Sequence, residues 1–231
     1  MPRVCSVNVG KGIDQPFSTK TGRTGIDKRP VTGPVEVRPP GPKKGGLGSG
    51  LVGDYIGDAR HHGGDRQAVY AFAREDLDRW EPELGRSLSD GSFGENLTTV
   101  GIDLADALVG ERWVVGDPDD PERSVELEVT DPRVPCRTFA GWLAERGWVR
   151  RFTAEARTGT YLAVVRAGTV RAGDEIVRTF VPDHDVTSGL VFRATTTQRE
   201  LLPRLLAARA YLDAETLEVV ERHGQLVLDD A

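Results

Sequence analysis

The feature that most constrains this chain is a series of short apolar segments divided by glycine- and proline-rich turns. Residues 4–9 alternate like a strand, and 35–37 form a second short segment. Further segments follow at 96–100, 112–115, 125–130, 161–166 and 175–180. Turn signals such as Gly116-Asp117-Pro118-Asp119, Gly168-Thr169 and Gly173-Asp174 lie between them. Many short strands with few helices predict a mainly β fold, a closed or nearly closed barrel with peripheral helices. Residues 10–28 are turn-rich. The proline- and glycine-rich stretch 39–50 is expected to be a mobile loop.

Helical character is expected in two places. Over residues 68–79, Tyr70, Phe72 and Ala73 lead into Glu75-Asp76-Leu77-Asp78-Arg79-Trp80, with Phe72, Leu77 and Trp80 facing inward. After residue 182 the texture turns helical again. Thr197 and Glu200 have capping-box spacing ahead of Leu201, Leu202, Leu205 and Leu206, although Pro203 would kink that helix. A last helix is expected over 214–223, with Asp213 as its N-cap and Gly224 as its stop. The expected division is a β domain over 1–182 and a small helical C-terminal extension over 183–231.

The chain's 231 residues suffice for one substantial core. A net charge of −6 argues against general affinity for nucleic acid or an anionic membrane. No run of apolar residues is long enough to span a bilayer, and residues 1–12 lack the apolar region of a secretory signal. Two cysteines, Cys5 and Cys136, are too few for a disulfide scaffold and suit a reducing compartment. The expected location is the cytoplasm.

Chemistry is concentrated in a few constellations. Gly48-Ser49-Gly50-Leu51-Val52-Gly53 has dinucleotide-binding spacing, but no strand precedes it and no helix follows, so it reads as a loop. In His61-His62-Gly63-Gly64-Asp65, Asp65 is placed to orient an imidazole and the glycines to let backbone approach a ligand; an exposed polar turn is the alternative. Glu95 and Asn96 enter a strand from a glycine-rich turn, where barrel mouths hold ligands, although Asn96 could equally cap its own turn. Cys136 follows a strand in Asp131-Pro132-Arg133-Val134-Pro135-Cys136-Arg137. The prolines stiffen that loop and the arginines favour thiolate, so it reads as a reactive thiol against the alternative of an inert buried one. Arg23, Lys28 and Arg29 are the best cationic group for a phosphate.

Taken in order, these pieces resemble the MOSC domain family, named for the C-terminal domain of molybdenum cofactor sulfurase. The likeness is to its stand-alone bacterial members that reduce N-hydroxylated bases. It is carried by Ile26-Asp27-Lys28-Arg29-Pro30-Val31, Gly53-Asp54, His62-Gly63-Gly64-Asp65 and Phe93-Gly94-Glu95-Asn96-Leu97-Thr98-Thr99. Pro132-Arg133-Val134-Pro135-Cys136, Gly159-Thr160-Tyr161 and Gly168-Thr169-Val170-Arg171-Ala172-Gly173-Asp174 complete it. The resemblance implies a MOSC-type β-barrel that binds the molybdenum cofactor, with Cys136 as the protein ligand to the metal. It implies Lys28 and Arg29 at the cofactor phosphate, and Glu95, Asn96, His62 and Asp65 lining the cavity. Arg133 would touch the pterin or favour the thiolate, and His62 is the candidate proton donor. Expected partners are an N-hydroxylated small molecule and a separate electron-donor reductase, a flavin or haem protein, with no nucleic acid and no membrane; a homodimer is left open. Two alternatives use the same residues: a persulfide carrier on Cys136, and a non-catalytic module binding an anion.

Overall fold

The computed structural model describes residues 1–17 and 22–229, the last six of these by backbone alone. In chain order the first elements are β1 (Arg3–Gly10), β2 (Ile13–Asp14), β3 (Arg23–Thr24), β4 (Lys28–Pro30), β5 (Val35–Val37), β6 (Val69–Ala73) and α1 (Arg74–Leu84). Then come β7 (Leu97–Val100), β8 (Arg112–Gly116), β9 (Ser124–Pro132), α2 (Arg137–Leu143) and α3 (Trp148–Glu155). The chain finishes with β10 (Thr160–Arg166), β11 (Gly168–Val170), β12 (Ile176–Phe180), α4 (Ser188–Thr196) and α5 (Ala214–Asp229). The fold is mixed α and β around one large, mostly antiparallel sheet of order β12-β8-β9-β10-β6-β7-β1-β4, in which only β6 and β7 run parallel.

That sheet is open rather than a closed barrel. The C-terminal half of β1 is taken by β4, with Asn8, Val9 and Gly10 opposite Pro30, Arg29 and Lys28. Only the start of β1 is left for the segment leading into β12, which it meets briefly at the Arg3–Glu175 bridge, with the Val4 N–H on the Asp174 carbonyl and the Ile176 N–H on the Pro2 carbonyl, both at 2.9 Å. The core lies on the inner face, where Val4, Val7, Leu97, Trp113, Val115, Leu127, Val129 and Leu162 are sealed from solvent.

The helices depart from the sequence reading in places. Residues 69–73 form a strand, not the start of a helix, because all five side chains are buried and no polar face was available to show alternation. Leu77 and Trp80 do face inward from α1. Two helices were not anticipated, α2 and α3; they bring Phe139, Trp148 and Phe152 together with Phe93 in a second, aromatic core. Thr197 does not start a helix but ends α4, whose own N-cap is Thr187, accepting from the Leu190 N–H at 3.1 Å. The leucine-rich run 199–208 is 3-10 rather than α-helix, with Pro203 inside it. Asp213 does cap α5, receiving the Thr216 N–H at 2.9 Å, but the helix passes Gly224 and runs to Asp229. Val109 packs among Val186, Leu190 and Leu205, which docks these last helices on the sheet. The 39–50 stretch is held by its own turns, including Leu47 N–H to the Pro40 carbonyl at 2.7 Å. Among the described residues no helix is long and apolar enough to cross a membrane.

Candidate functional site

β9 ends at Pro132 and hands the chain through Arg133, Val134 and Pro135 to Cys136, the residue that precedes the first turn of α2. The support is rigid. Phe139, one turn into α2, meets Phe93 at 5.2 Å and Phe152 at 5.1 Å between ring centroids, both edge-on. The half-buried sulfur is therefore held by packing rather than by a flexible loop.

Burial alone would raise the Cys136 pKa. The His62 hydrogen bond, the Arg133 charge and the Phe139 N–H outweigh it and bring the thiol from 9.0 down to about 6. Cys5 behaves oppositely: burial raises it, and Asp90 adds to the effect. At about pH 6.5, iodoacetamide is therefore expected to alkylate Cys136 well before Cys5. Replacing His62 by alanine should move the Cys136 alkylation midpoint up, read by peptide mass spectrometry across a pH series. An unchanged midpoint would deny His62 its role.

The turn that follows His62 packs closely against the 48–50 segment because it is built of two glycines. Gly63 and Gly64 have φ of 78° and 79°, and a Cβ on Gly63 would stand 2.5 Å from the Gly48 carbonyl oxygen. Arg133, 7% exposed, lies over Phe139 at 4.1 Å and Tyr70 at 4.8 Å and donates to the Phe93 carbonyl. No carboxylate of the described residues pairs with it. Burial opposes its cation, and the groups that favour it are the phenols of Tyr70 and Tyr161 and the Cys136 sulfur.

The opposite wall is a buried polar network around Asp54. Its Oδ1 accepts from Lys28 Nζ at 2.5 Å and from the Gly10 N–H at 2.8 Å. Its Oδ2 accepts from Ser49 Oγ at 2.7 Å and Asn96 Nδ2 at 3.0 Å. Asn96 Oδ1 in turn accepts the Tyr70 N–H at 3.1 Å, joining the network to β6. Of these groups Lys28, Asn96 and Tyr70 line one cleft of about 740 Å³, mouth included, with Asp54 behind them; Tyr55, Gln67 and Tyr161 also line it.

Six of the side chains singled out in the sequence thus meet on this cleft: Arg23, Lys28, His62, Asn96, Arg133 and Cys136. Three do not line it. Arg29 pairs with Asp27 at 2.6 Å on the surface. Asp65 does not orient His62; it receives the Gly41 N–H at 2.8 Å. Glu95 points into the core, where it clamps the Gly91 N–H at 2.6 Å, the Phe93 N–H at 3.0 Å and Thr98 Oγ at 2.9 Å. It thereby holds the turn whose Phe93 carbonyl receives Arg133. Asp54, Gln67 and the paired tyrosines Tyr70 and Tyr161 went unassigned in the sequence reading.

Burial pushes Glu95 from 4.5 up to about 7 despite those three donors. Ionisation is disfavoured in the folded state. Its contribution to stability is therefore complete below about pH 4.5 and is lost as pH rises through about 7. Chemical denaturation across that window should show a steeper fall in stability for the native chain than for Glu95→Gln. Equal slopes would refute the assignment.

Among the described residues no group of three or more His, Cys, Asp or Glu side chains could hold a metal by itself. A metal at Cys136 needs the rest of its ligands from a cofactor. The single soft thiolate and the buried cation beside it fit the protein's share of such a site.

The MOSC domain model matches residues 58–177. The chain belongs to the MOSC family. The matched span holds His62, Gln67, Asn96, Arg133 and Cys136, whereas Lys28 precedes it. Among this MOSC protein's relatives, YflK of Bacillus subtilis (strain 168) is 32% identical over 170 residues, covering 74% of this chain and 70% of that one. A protein named "Reductase" from Gibberella moniliformis is 28% identical over 134 residues, covering 55% of this chain but only 22% of its own length. Of solved structures, YiiM from Geobacillus stearothermophilus superposes with a TM-score of 0.73 at 22% identity, covering 96% of this chain and 98% of that one, and so shares the fold.

Proposed function

We propose that this MOSC protein is a molybdenum-cofactor-dependent reductase of N-hydroxylated compounds, returning them to amines. The observation that carries the reading is the Cys136 sulfur in the cleft, with His62 and Arg133 holding it as thiolate at neutral pH. Membership of the MOSC family and a relative named as a reductase support it.

The overall reaction is R–NHOH plus two electrons and two protons giving R–NH2 and water. When bound, the cofactor supplies the redox couple for breaking the N–O bond. The chain supplies the rest. Cys136 would be the metal's protein ligand. His62, bonded to that sulfur, is placed to hold a proton at the reacting end of the cleft. The tyrosine rings Tyr70 and Tyr161, 5.2 Å apart, form an apolar wall that excludes water. Phosphate anchoring falls to Lys28 rather than Arg29. Its charge is balanced by Asp54, but an ammonium has three donors and Asp54 takes one. Electrons come from a separate flavin or haem reductase.

The test is to express the chain in a host that makes molybdopterin and measure molybdenum content. Reduction of hydroxylaminopurine with a chemical electron donor is then assayed. Near-stoichiometric metal with reduction supports the reading; metal-free protein without reduction refutes it.

A further inference from the structure

Gln67 ends the 3-10 turn Asp65–Gln67, just before the strand that carries Tyr70. Its backbone N–H is spent on the Gly64 carbonyl at 2.9 Å. Gln67 lines the cleft, and its Oε1 is sealed from solvent without a hydrogen-bond partner. An amide oxygen buried unpaired is a cost that leucine or methionine would avoid at similar volume. Thr99, Trp148, His184 and Ser188 also carry buried unpartnered atoms, but none of them lines the cleft. Gln67 alone of these belongs to the cleft, so only there can a turn of the terminal amide bring the unpaired oxygen to a ligand.

The surrounding chemistry says what kind of ligand. Asn96 has both ends of its amide committed, to Asp54 and to the Tyr70 N–H. Lys28 and Arg133 offer donors only. Tyr55, Tyr70 and Tyr161 with Ile26 and Ile56 give the cleft flat apolar faces. An acceptor with no internal donor, set among such faces, matches an N–H on the edge of a planar ring.

We propose that Gln67 is a specificity-determining residue of the cleft, its Oε1 accepting an N–H from a planar nitrogen heterocycle. The proposal rests on reading the cleft as the site of an N-hydroxylated base and a pterin cofactor. Either could supply that N–H: the substrate base, or the pterin. A ligand without a donor edge would leave the oxygen unpaired and be rejected.

The test is calorimetric binding to the full-length chain made without molybdenum cofactor, so it does not depend on metal or turnover. The ligands are hydroxylaminopurine and hydroxymethylpterin, and the proteins are native, Gln67→Glu and Gln67→Met. Glutamate keeps an acceptor and should retain binding. Methionine should weaken it about tenfold while the free protein melts at the same or a higher temperature. Loss with the purine alone assigns Gln67 to substrate, and loss with the pterin alone assigns it to cofactor. The proposal is overturned if Gln67→Met binds both compounds like the native chain, or if the native chain binds neither. It is equally overturned if Gln67→Glu loses as much as Gln67→Met, or if Gln67→Met merely lowers the melting temperature. Failure of the reductase reading would show instead as missing molybdenum in the cofactor-making host, with the binding result unchanged.

Discussion

Cys136→Ser, expressed in a molybdopterin-making host, is expected to contain almost no molybdenum and to lose reduction of N-hydroxylated bases altogether. Loss of a residue that merely orients a metal ligand costs about ten- to a hundredfold in affinity or activity, so loss of the ligand itself should exceed that. Serine cannot substitute, because its hydroxyl is a hard donor that stays protonated at neutral pH, whereas the metal position calls for a soft anion. The fold should survive the change. Cys136 is only half-buried at the start of α2, and a serine hydroxyl there can still accept the Phe139 N–H, so the exchange leaves Phe139 and the aromatic core in place. Metal content by elemental analysis and melting temperature together decide the matter. Native-like metal in Cys136→Ser refutes the assignment, as does loss of metal that only follows unfolding. A native chain free of metal but carrying one labile sulfur on Cys136 would point to a persulfide carrier instead.

How much of this site could be read from the chain depended on whether the deciding partner was a sequence neighbour. Cys136 stood out because prolines and arginines frame it. Of the two arginines, however, Arg133 faces the sulfur, whereas Arg137 opens α2 and is exposed. The hydrogen bond that does most to lower the thiol comes from His62, on a distant segment of the chain, and no local pattern announces that meeting. Adjacent residues also misled. Lys28 and Arg29 look like a paired phosphate anchor, but successive residues of a strand point to opposite faces, and only Lys28 turns inward. Glu95 and Asn96 part in the same way, one clamping a core turn and the other lining the cleft.

The fold follows the same division. Short strands and turns were legible from local alternation and glycine signals, but closure was not. Whether the two ends of the sheet meet depends on β4 occupying half of β1. The missed helices did leave a trace, since Phe139 and Leu143, and Trp148 and Phe152, are each four apart and all four are buried. Asp54 was visible only as part of a Gly-Asp pair. Its role as the acceptor for four donors arises from distant segments converging on one carboxylate.

Arg133→Met is expected to raise the Cys136 pKa by on the order of one to two units without unfolding the protein. With the thiol at about 6, roughly nine-tenths of Cys136 is thiolate at neutral pH. A shift of that size would leave roughly half to a tenth, and metal loading should fall with it. The variant should keep its stability for a physical reason. Arg133 is a nearly buried cation with no carboxylate partner among the described residues, and exchanging a buried charge for an apolar side chain of similar length is often neutral or stabilising. Methionine can also keep contact with the Phe139 and Tyr70 rings on which the guanidinium lies. Arg133→Lys is a sharper control: it preserves the charge but not the planar group stacked on those rings. If proximity of positive charge suffices, lysine restores the low thiol pKa; if the flat guanidinium must hold the position, lysine behaves like methionine. Alkylation rate against pH, molybdenum content and melting temperature are the three readouts. A collapse in melting temperature with the Cys136 titration unchanged would make Arg133 a structural residue and remove it from the site. The opposite pattern, a raised thiol in a protein as stable as the native one, is what a cation retained at the expense of stability to hold a reactive sulfur should produce.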